Sequence, residues 1–199
     1  ALADIKTAQY FLPILAGRAD EAVTEGAFKA CLLGEERPER LPGFVPARAA
    51  AQERKFFHWF TEFPTVFDAK DAGFDIIIGN PPFLGDKKLS GTFGDDYLSY
   101  LKANCSPAGA MDLVGFFFRR NYELLRSGGC FALIATKTIA EGGTREGGLD
   151  IITKSGTIYW AIKSMLWPGA AAVSVALVAI IKEKIAGPFI LNGKKTAII

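Results

Sequence analysis

Phe74-Asp75-Ile76-Ile77-Ile78-Gly79-Asn80-Pro81-Pro82-Phe83 is the stretch that decides the fold. Its first half is an apolar, β-branched run, the composition of a buried strand. Its second half cannot continue that strand. Pro81 and Pro82 lack backbone donors and fix φ, so the chain must leave the sheet at Asn80. The expected product is a stiff polar and aromatic corner at the carboxyl end of a strand, where open α/β sheets place their ligands.

The chemistry of that corner follows from its atoms. Asn80 brings a side-chain carbonyl oxygen, and Pro81 brings a backbone carbonyl with no N–H of its own. Two acceptors side by side suit a nitrogen carrying two hydrogens, such as an aromatic amine or a carboxamide. Accepting both hydrogens frees the nitrogen lone pair, and no strong base is required because the proton can leave after attack. Phe83 offers a flat face on which a planar substrate can stack. The plainer reading is a Pro-rich turn with Phe83 in the core.

Outward from this point the chain alternates helices and strands. Upstream, residues 1–17, 20–33 and 48–60 read as helices, the second with Asp20 as N-cap and Gly34 as its stop. The third ends in Phe56-Phe57-His58-Trp59-Phe60, and residues 62–67 read as extended. His58 reads as a packed histidine rather than a catalyst. Downstream, Gly85–Asp95 reads as a polar loop whose Lys87, Lys88, Ser90 and Thr92 are candidates for phosphate contacts, or as an ordinary solvated loop. Residues 95–104 and 110–126 read as helices, the latter closed by Ser127-Gly128-Gly129 before a buried strand at 130–135. That order predicts a parallel pair with 74–79. A glycine-rich patch at 141–148 does not follow a strand directly and is not a phosphate cradle. Residues 149–154 read as a short helix. Strands at 157–166 and 173–181 predict an antiparallel hairpin through Trp167-Pro168-Gly169, and Asn192-Gly193 predicts a small terminal hairpin.

Composition narrows the class. Half of the 199 residues are hydrophobic, with 16 Phe, which excludes a disordered chain. Residues 1–80 carry 9 basic and 12 acidic side chains, and residues 81–199 carry 14 and 9, so the second half permits a polyanion partner. Cys31, Cys105 and Cys130 form no CxxC pair and His58 is the single histidine, so no metal site is expected. Reduced thiols fit a cytoplasmic protein. The longest apolar run, 170–181, is too short to span a bilayer, so no membrane partner is expected.

The string Asn80-Pro81-Pro82-Phe83 resembles the Asn-Pro-Pro-Tyr/Phe motif of amino-group methyltransferases, above all the adenine-N6 DNA methyltransferases. Glutamine-modifying methyltransferases carry a similar motif. The context is more specific. Phe57-His58-Trp59, Glu62-Phe63-Pro64 with Val66-Phe67, Gly73–Gly79, Leu89–Tyr97 and Gly143-Thr144-Arg145-Glu146 are similar to large bacterial restriction–modification enzymes and their phage-defence relatives. The resemblance covers roughly residues 50–182.

It implies a partial Rossmann-like α/β sheet, mostly parallel with a C-terminal antiparallel hairpin and a helical N-terminal region. It implies methyl transfer from S-adenosylmethionine to a flipped adenine in double-stranded DNA. By position, Asn80, Pro81, Pro82 and Phe83 are the expected catalytic residues. Phe83 and Trp167 are the expected clamp on the base, and Asn80 is the expected contact to the cofactor's methyl end. The family's cofactor motif, an acidic and glycine-bearing loop upstream of the corner, has no counterpart in residues 1–73. With a first residue other than Met, this predicts an internal fragment. Its expected parts are a helical segment over 1–70 packing on the sheet, the second half of a catalytic domain over 71–182, and the start of a following segment over 183–199. Isolated, such a fragment is expected to be inactive, because proximity catalysis needs both reactants held together. Strand 74–79 is then expected to have an open edge that favours self-association. Two alternatives stand beside this reading: a protein-glutamine or RNA methyltransferase, and an inactive methyltransferase-like module that binds DNA or a partner.

Overall fold

A computed structural model describes residues 1–12, 23–168 and 173–199. The chain divides into two compact units, Ala1–Pro64 and Thr65–Ile199. The end of the first expected helix, 13–17, and the start of the second, 20–22 with Asp20 as its cap, lie outside the described residues.

The first unit is helical: α1 (Leu2–Ala8), α2 (Glu25–Leu32), α3 (Phe44–Arg54) and α4 (Trp59–Glu62). The cap of α2 is Thr24, whose hydroxyl accepts from the Ala27 N–H at 3.2 Å, and Gly34 follows its end with φ +76°. The third helix does not run through the aromatic cluster. It stops at Arg54, and Lys55 takes a left-handed conformation. Five successive rings cannot share one helix face, and the break sends Phe56 into the core while Phe57 and Phe60 stay exposed. Residues 62–67 are not extended either: α4 is followed by a helical turn, α5 (Pro64–Phe67), whose first residue is a proline suited to that place. His58 is packed, as its sequence context predicts. Its Nε2 lies 2.9 Å from Asp4 Oδ1, and Arg48 donates to Asp4 Oδ2 at 2.5 Å. Burial of the Asp4 carboxyl pushes its pKa up, but the bonds to Arg48 and His58 outweigh this and hold it below the usual carboxylate value.

The second unit is built on a six-stranded sheet of order β1-β2-β4-β3-β5-β6. β1 (Phe74–Gly79) pairs parallel with β2 (Leu125–Ala135). β4 (Ser174–Ile181) inserts antiparallel between β2 and β3 (Thr157–Leu166), giving the expected closing hairpin. The tail lengthens the sheet: β5 (Phe189–Leu191) runs parallel to β3, and β6 (Lys194–Thr196) returns on it through Asn192 and Gly193, both at positive φ.

Between β1 and β2 lie α6 (Asp86–Phe93), α7 (Asp95–Asn104) and α8 (Leu113–Leu124). One face of the sheet packs on α8, where Phe118 meets Phe131 edge to face at 5.4 Å and both are fully buried. After β2, a 3-10 turn at Lys137–Ala140 leads into α9 (Gly142–Gly147) and α10 (Leu149–Ile152).

Two local expectations are corrected. The segment 85–95 is not a loop. It forms α6, because Leu89 turns inward to full burial beside Met111 and Leu113. Ser127-Gly128-Gly129 does not end a helix. α8 stops at Leu124, and these residues belong to β2, whose register with β1 shifts between Phe74 and Ile76. The glycine-rich patch at 141–148 is helical, and its glycines allow close packing: a Cβ on Gly143 would stand 2.3 Å from the Ala110 carbonyl oxygen.

Gly73, at φ +131°, shows what the β1–β2 approach requires, since a Cβ there would lie 2.3 Å from Arg126 N and 2.5 Å from Leu125 C. Gly73→Ala should therefore destabilise the unit by roughly 3 kcal/mol in urea unfolding. Gly91→Ala, in α6 with nothing within 4 Å of the added methyl, should stabilise it by about 0.8 kcal/mol. Equal effects at the two positions would refute this account of the strand approach.

Candidate active site at the carboxyl end of the parallel strands

β1 ends at Gly79, which stands opposite Leu133 of β2. Residues 80–85 then run without regular structure to the start of α6. Within this elbow Pro81 is buried, while Asn80 and Pro82 are exposed and Phe83 is 40% exposed. The buried pyrrolidine anchors the turn and leaves the Asn80 amide and the Phe83 ring towards solvent. Neither is locked in packed hydrocarbon, so both are accessible to a ligand.

The far side of the elbow is also fixed. The Leu113 N–H donates to the Leu84 carbonyl at 2.9 Å. The Asp86 N–H donates to Asp112 Oδ1 at 3.0 Å, and the Thr138 hydroxyl donates to Asp112 Oδ2 at 2.8 Å. Thr138 Oγ1 also lies 2.6 Å from Thr136 Oγ1. A hydroxyl has one hydrogen, so Thr138, donating to the carboxylate, accepts from Thr136. The Asp112 N–H donates to the buried Thr144 hydroxyl at 3.0 Å. Three segments thus meet at one carboxylate: the exit from the elbow, the start of α8 and the exit from β2.

The remaining candidates are distributed as follows. Lys87, Lys88 and Thr92 are exposed on α6, and Lys88 and Thr92 share a face at helical spacing. Ser90 donates to Asp95, so its hydroxyl is already engaged. Trp167 follows β3 and is half-buried. Its N–H donates to the Val173 carbonyl at 2.9 Å and closes the hairpin, whose tip at 169–172 lies outside the described residues. β3 runs in the same direction as β1, so Trp167 stands at the same end of the sheet as Asn80, with β2 and β4 between them. Asp112 is absent from the residues singled out in the sequence. An Asp before an apolar helix reads as an N-cap, yet this carboxylate makes no cap bond to its own helix and turns to other loops.

Other chemistries have less support here. Cys105 is a core thiol, with its pKa raised by burial first and by Glu123 second. Among the described residues no three His, Cys, Asp or Glu side chains group to hold a metal ion, and no helix is long and apolar enough to cross a membrane.

A strand-order core of this kind, with a closing antiparallel hairpin and an Asn-Pro-Pro-Phe elbow at the carboxyl end of a parallel strand, defines a methyltransferase-type α/β fold. The profile of the Eco57I restriction-modification methylases matches residues 32–159, and the chain belongs to that family. Among solved structures it is similar to the type IIL restriction-modification enzyme MmeI in complex with DNA. The identity is 24% and the TM-score 0.50, over 68% of this chain and 19% of that one. A putative class I S-adenosylmethionine-dependent methyltransferase from Listeria monocytogenes matches at 14% identity and TM-score 0.46, over 61% of this chain and 38% of that one. The M protein of the type I restriction enzyme EcoKI matches at 20% and 0.36, over 59% and 22%. This chain therefore spans about a fifth of the length of MmeI. No curated protein matches it significantly.

Proposed function

We propose that this chain carries the base-binding half of the active site of a site-specific DNA adenine-N6 methyltransferase, part of a restriction–modification or defence enzyme. The observation that supports this most directly is the elbow itself. A buried Pro81 fixes a turn whose neighbours, Asn80 and Phe83, remain open to solvent at the carboxyl end of a parallel strand.

In this reading the target adenine leaves the duplex, because its amino group is out of reach inside the stack. Its ring stacks on Phe83, with Trp167 assigned to the opposite face. The two amino hydrogens are donated to Asn80 Oδ1 and the Pro81 carbonyl, while Pro82 keeps the turn from relaxing. The nitrogen lone pair then points away from both acceptors, towards the incoming methyl group. With S-adenosylmethionine bound, the nitrogen–carbon bond would form as the donor's sulfonium carbon–sulfur bond breaks and leaves the neutral thioether, and the surplus proton would leave the amine to water. The methyl donor for this reaction is S-adenosylmethionine. In this reading Asn80 is the one residue of the chain assigned to its methyl end. Among the described residues β1 has no outer neighbour whose loop would hold the adenosine or the carboxylate. The steps assigned to this chain are therefore those on the acceptor amine. DNA as the partner is supported by the exposed Lys87 and Lys88 on the helix that leaves the elbow. It is also supported by family membership and by the likeness to an enzyme solved with DNA.

In the full-length protein, Asn80→Ala should lower adenine methylation by about 100-fold or more. Mass spectrometry of the methylated product identifies the acceptor, and undiminished N6-methyladenine would remove Asn80 from the mechanism. Replacing Lys87 and Lys88 together with Ala should flatten the slope of log affinity against log salt by about 2, given roughly 0.9 for each phosphate that a lysine neutralises. An unchanged slope would remove α6 from the DNA interface.

A second reading, an inactive methyltransferase-like module that associates with a partner or with itself, is favoured by one observation. β1 lies at the sheet edge with Ile76 64% and Ile78 81% exposed. An apolar strand open along its edge is a template for pairing. Sedimentation velocity should then show concentration-dependent association that Ile78→Lys abolishes. A monomer at all concentrations would dismiss self-pairing through this edge.

A further inference from the structure

We infer that Asp112 is a positioning residue for the Asn80–Phe83 elbow, acting through the chain that leaves it; the inference deepens the function proposed above and rests on it. The elbow is held at two places. On one side, Gly79 is fixed in register against Leu133 and Pro81 is buried. On the other, the segment 84–86 is clamped by a pair of bonds, Leu113 N–H to the Leu84 carbonyl and Asp86 N–H to Asp112 Oδ1. The elbow, residues 80–83, is therefore held from both ends. Without the second point, only the exit of β1 would determine where the Asn80 amide and the Phe83 ring sit.

Asp112 is suited to this task because its two oxygens serve different segments. Oδ1 takes the Asp86 amide, and Oδ2 takes the Thr138 hydroxyl, itself bonded to Thr136 directly after β2. The carboxylate thus ties the loop after β1 to the loop after β2. These strands are neighbours, and both exits lie on the proposed catalytic edge. Its backbone is fixed in turn by the N–H bond to Thr144, which is 4% exposed. An N-cap that spent its carboxylate on its own helix could not do this. Asp112 makes no such cap bond. The same clamp seats the first residue of α6, so it also sets the origin of the helix that carries Lys87 and Lys88.

The test uses the full-length protein. Asp112→Ala should lower kcat by about 100-fold, as expected for a displacement of the reacting groups by about 1 Å, with KM for the methyl donor within about twofold. Asp112→Asn keeps an oxygen for the Asp86 N–H and an amide that can donate to Thr138, so it should recover most of the rate. Hydrogen–deuterium exchange should rise over residues 84–93 in Asp112→Ala while α8 stays protected, a readout independent of activity. A folded Asp112→Ala with unchanged kcat, in a protein that Asn80→Ala inactivates, would overturn this inference alone. Full activity in Asn80→Ala would instead remove the reading beneath it. Should Asp112→Ala fail to fold, Thr138→Val deletes one of the two bonds and should lower kcat several-fold; an unchanged rate there would overturn the inference equally.

Discussion

Two consecutive residues without a backbone N–H set the limit of β1. A parallel strand extends only while its donors find acceptors on the neighbour, and Pro81 and Pro82 supply none. Pairing with β2 therefore stops at Gly79 opposite Leu133, and the chain leaves at the carboxyl end of the sheet. Burial of Pro81 turns that stop into a fixed corner, since a buried ring cannot move without opening a cavity. The exposure of Asn80 and Phe83 follows from the same constraint: with its centre anchored, the turn has its flanking side chains outward.

The composition of β1 carries a second message. Three successive isoleucines belong to a strand covered on both faces, as parallel strands usually are. Among the described residues only one face is met: Ile77 packs towards the core, whereas Ile76 and Ile78 are largely exposed. At about 25 cal/mol per Å2 of apolar area, covering two isoleucines is a substantial drive towards association. Among the described residues the strand thus presents an unmet burial demand along an edge on which no further strand pairs.

Much of this fold was legible because its strands carry their signals locally. The bounds of β3 follow from alternation, the terminal hairpin from Asn192-Gly193, and the parallel β1–β2 pair from the helix between them. The misreadings share a different cause. Gly128 and Gly129 read as helix stops, yet Gly129 is small because another backbone lies against it: a Cβ there would come within 2.7 Å of the Phe74 carbonyl oxygen, as one on Gly143 would come within 2.3 Å of that of Ala110. Close approach between distant segments leaves no periodicity in either. α6 was hidden in the same way, since one inward leucine, Leu89, holds a helix whose other residues are mostly polar or glycine. At the site, the elbow was readable as a string of residues, but its clamp was not. Asp112 and Asp86 are 26 residues apart, and nothing local distinguishes this aspartate from an ordinary cap.

The division between readable elbow and unreadable clamp fits the chemistry proposed for the corner. A site that relied on a strong base would need a carboxylate or imidazole aimed at the substrate, with its basicity tuned by its surroundings. Here the carboxylate nearest the elbow in the bonding network, Asp112, is occupied by the Asp86 N–H and the Thr138 hydroxyl. In the chemistry proposed here the groups that act on the amine are neutral oxygens, which cannot remove a proton before attack but can orient two hydrogens and so aim a lone pair. Catalysis of that kind depends on position more steeply than on basicity. It therefore requires that the acceptors be held from both sides, by the proline-terminated strand before them and by the aspartate-bound segment after them.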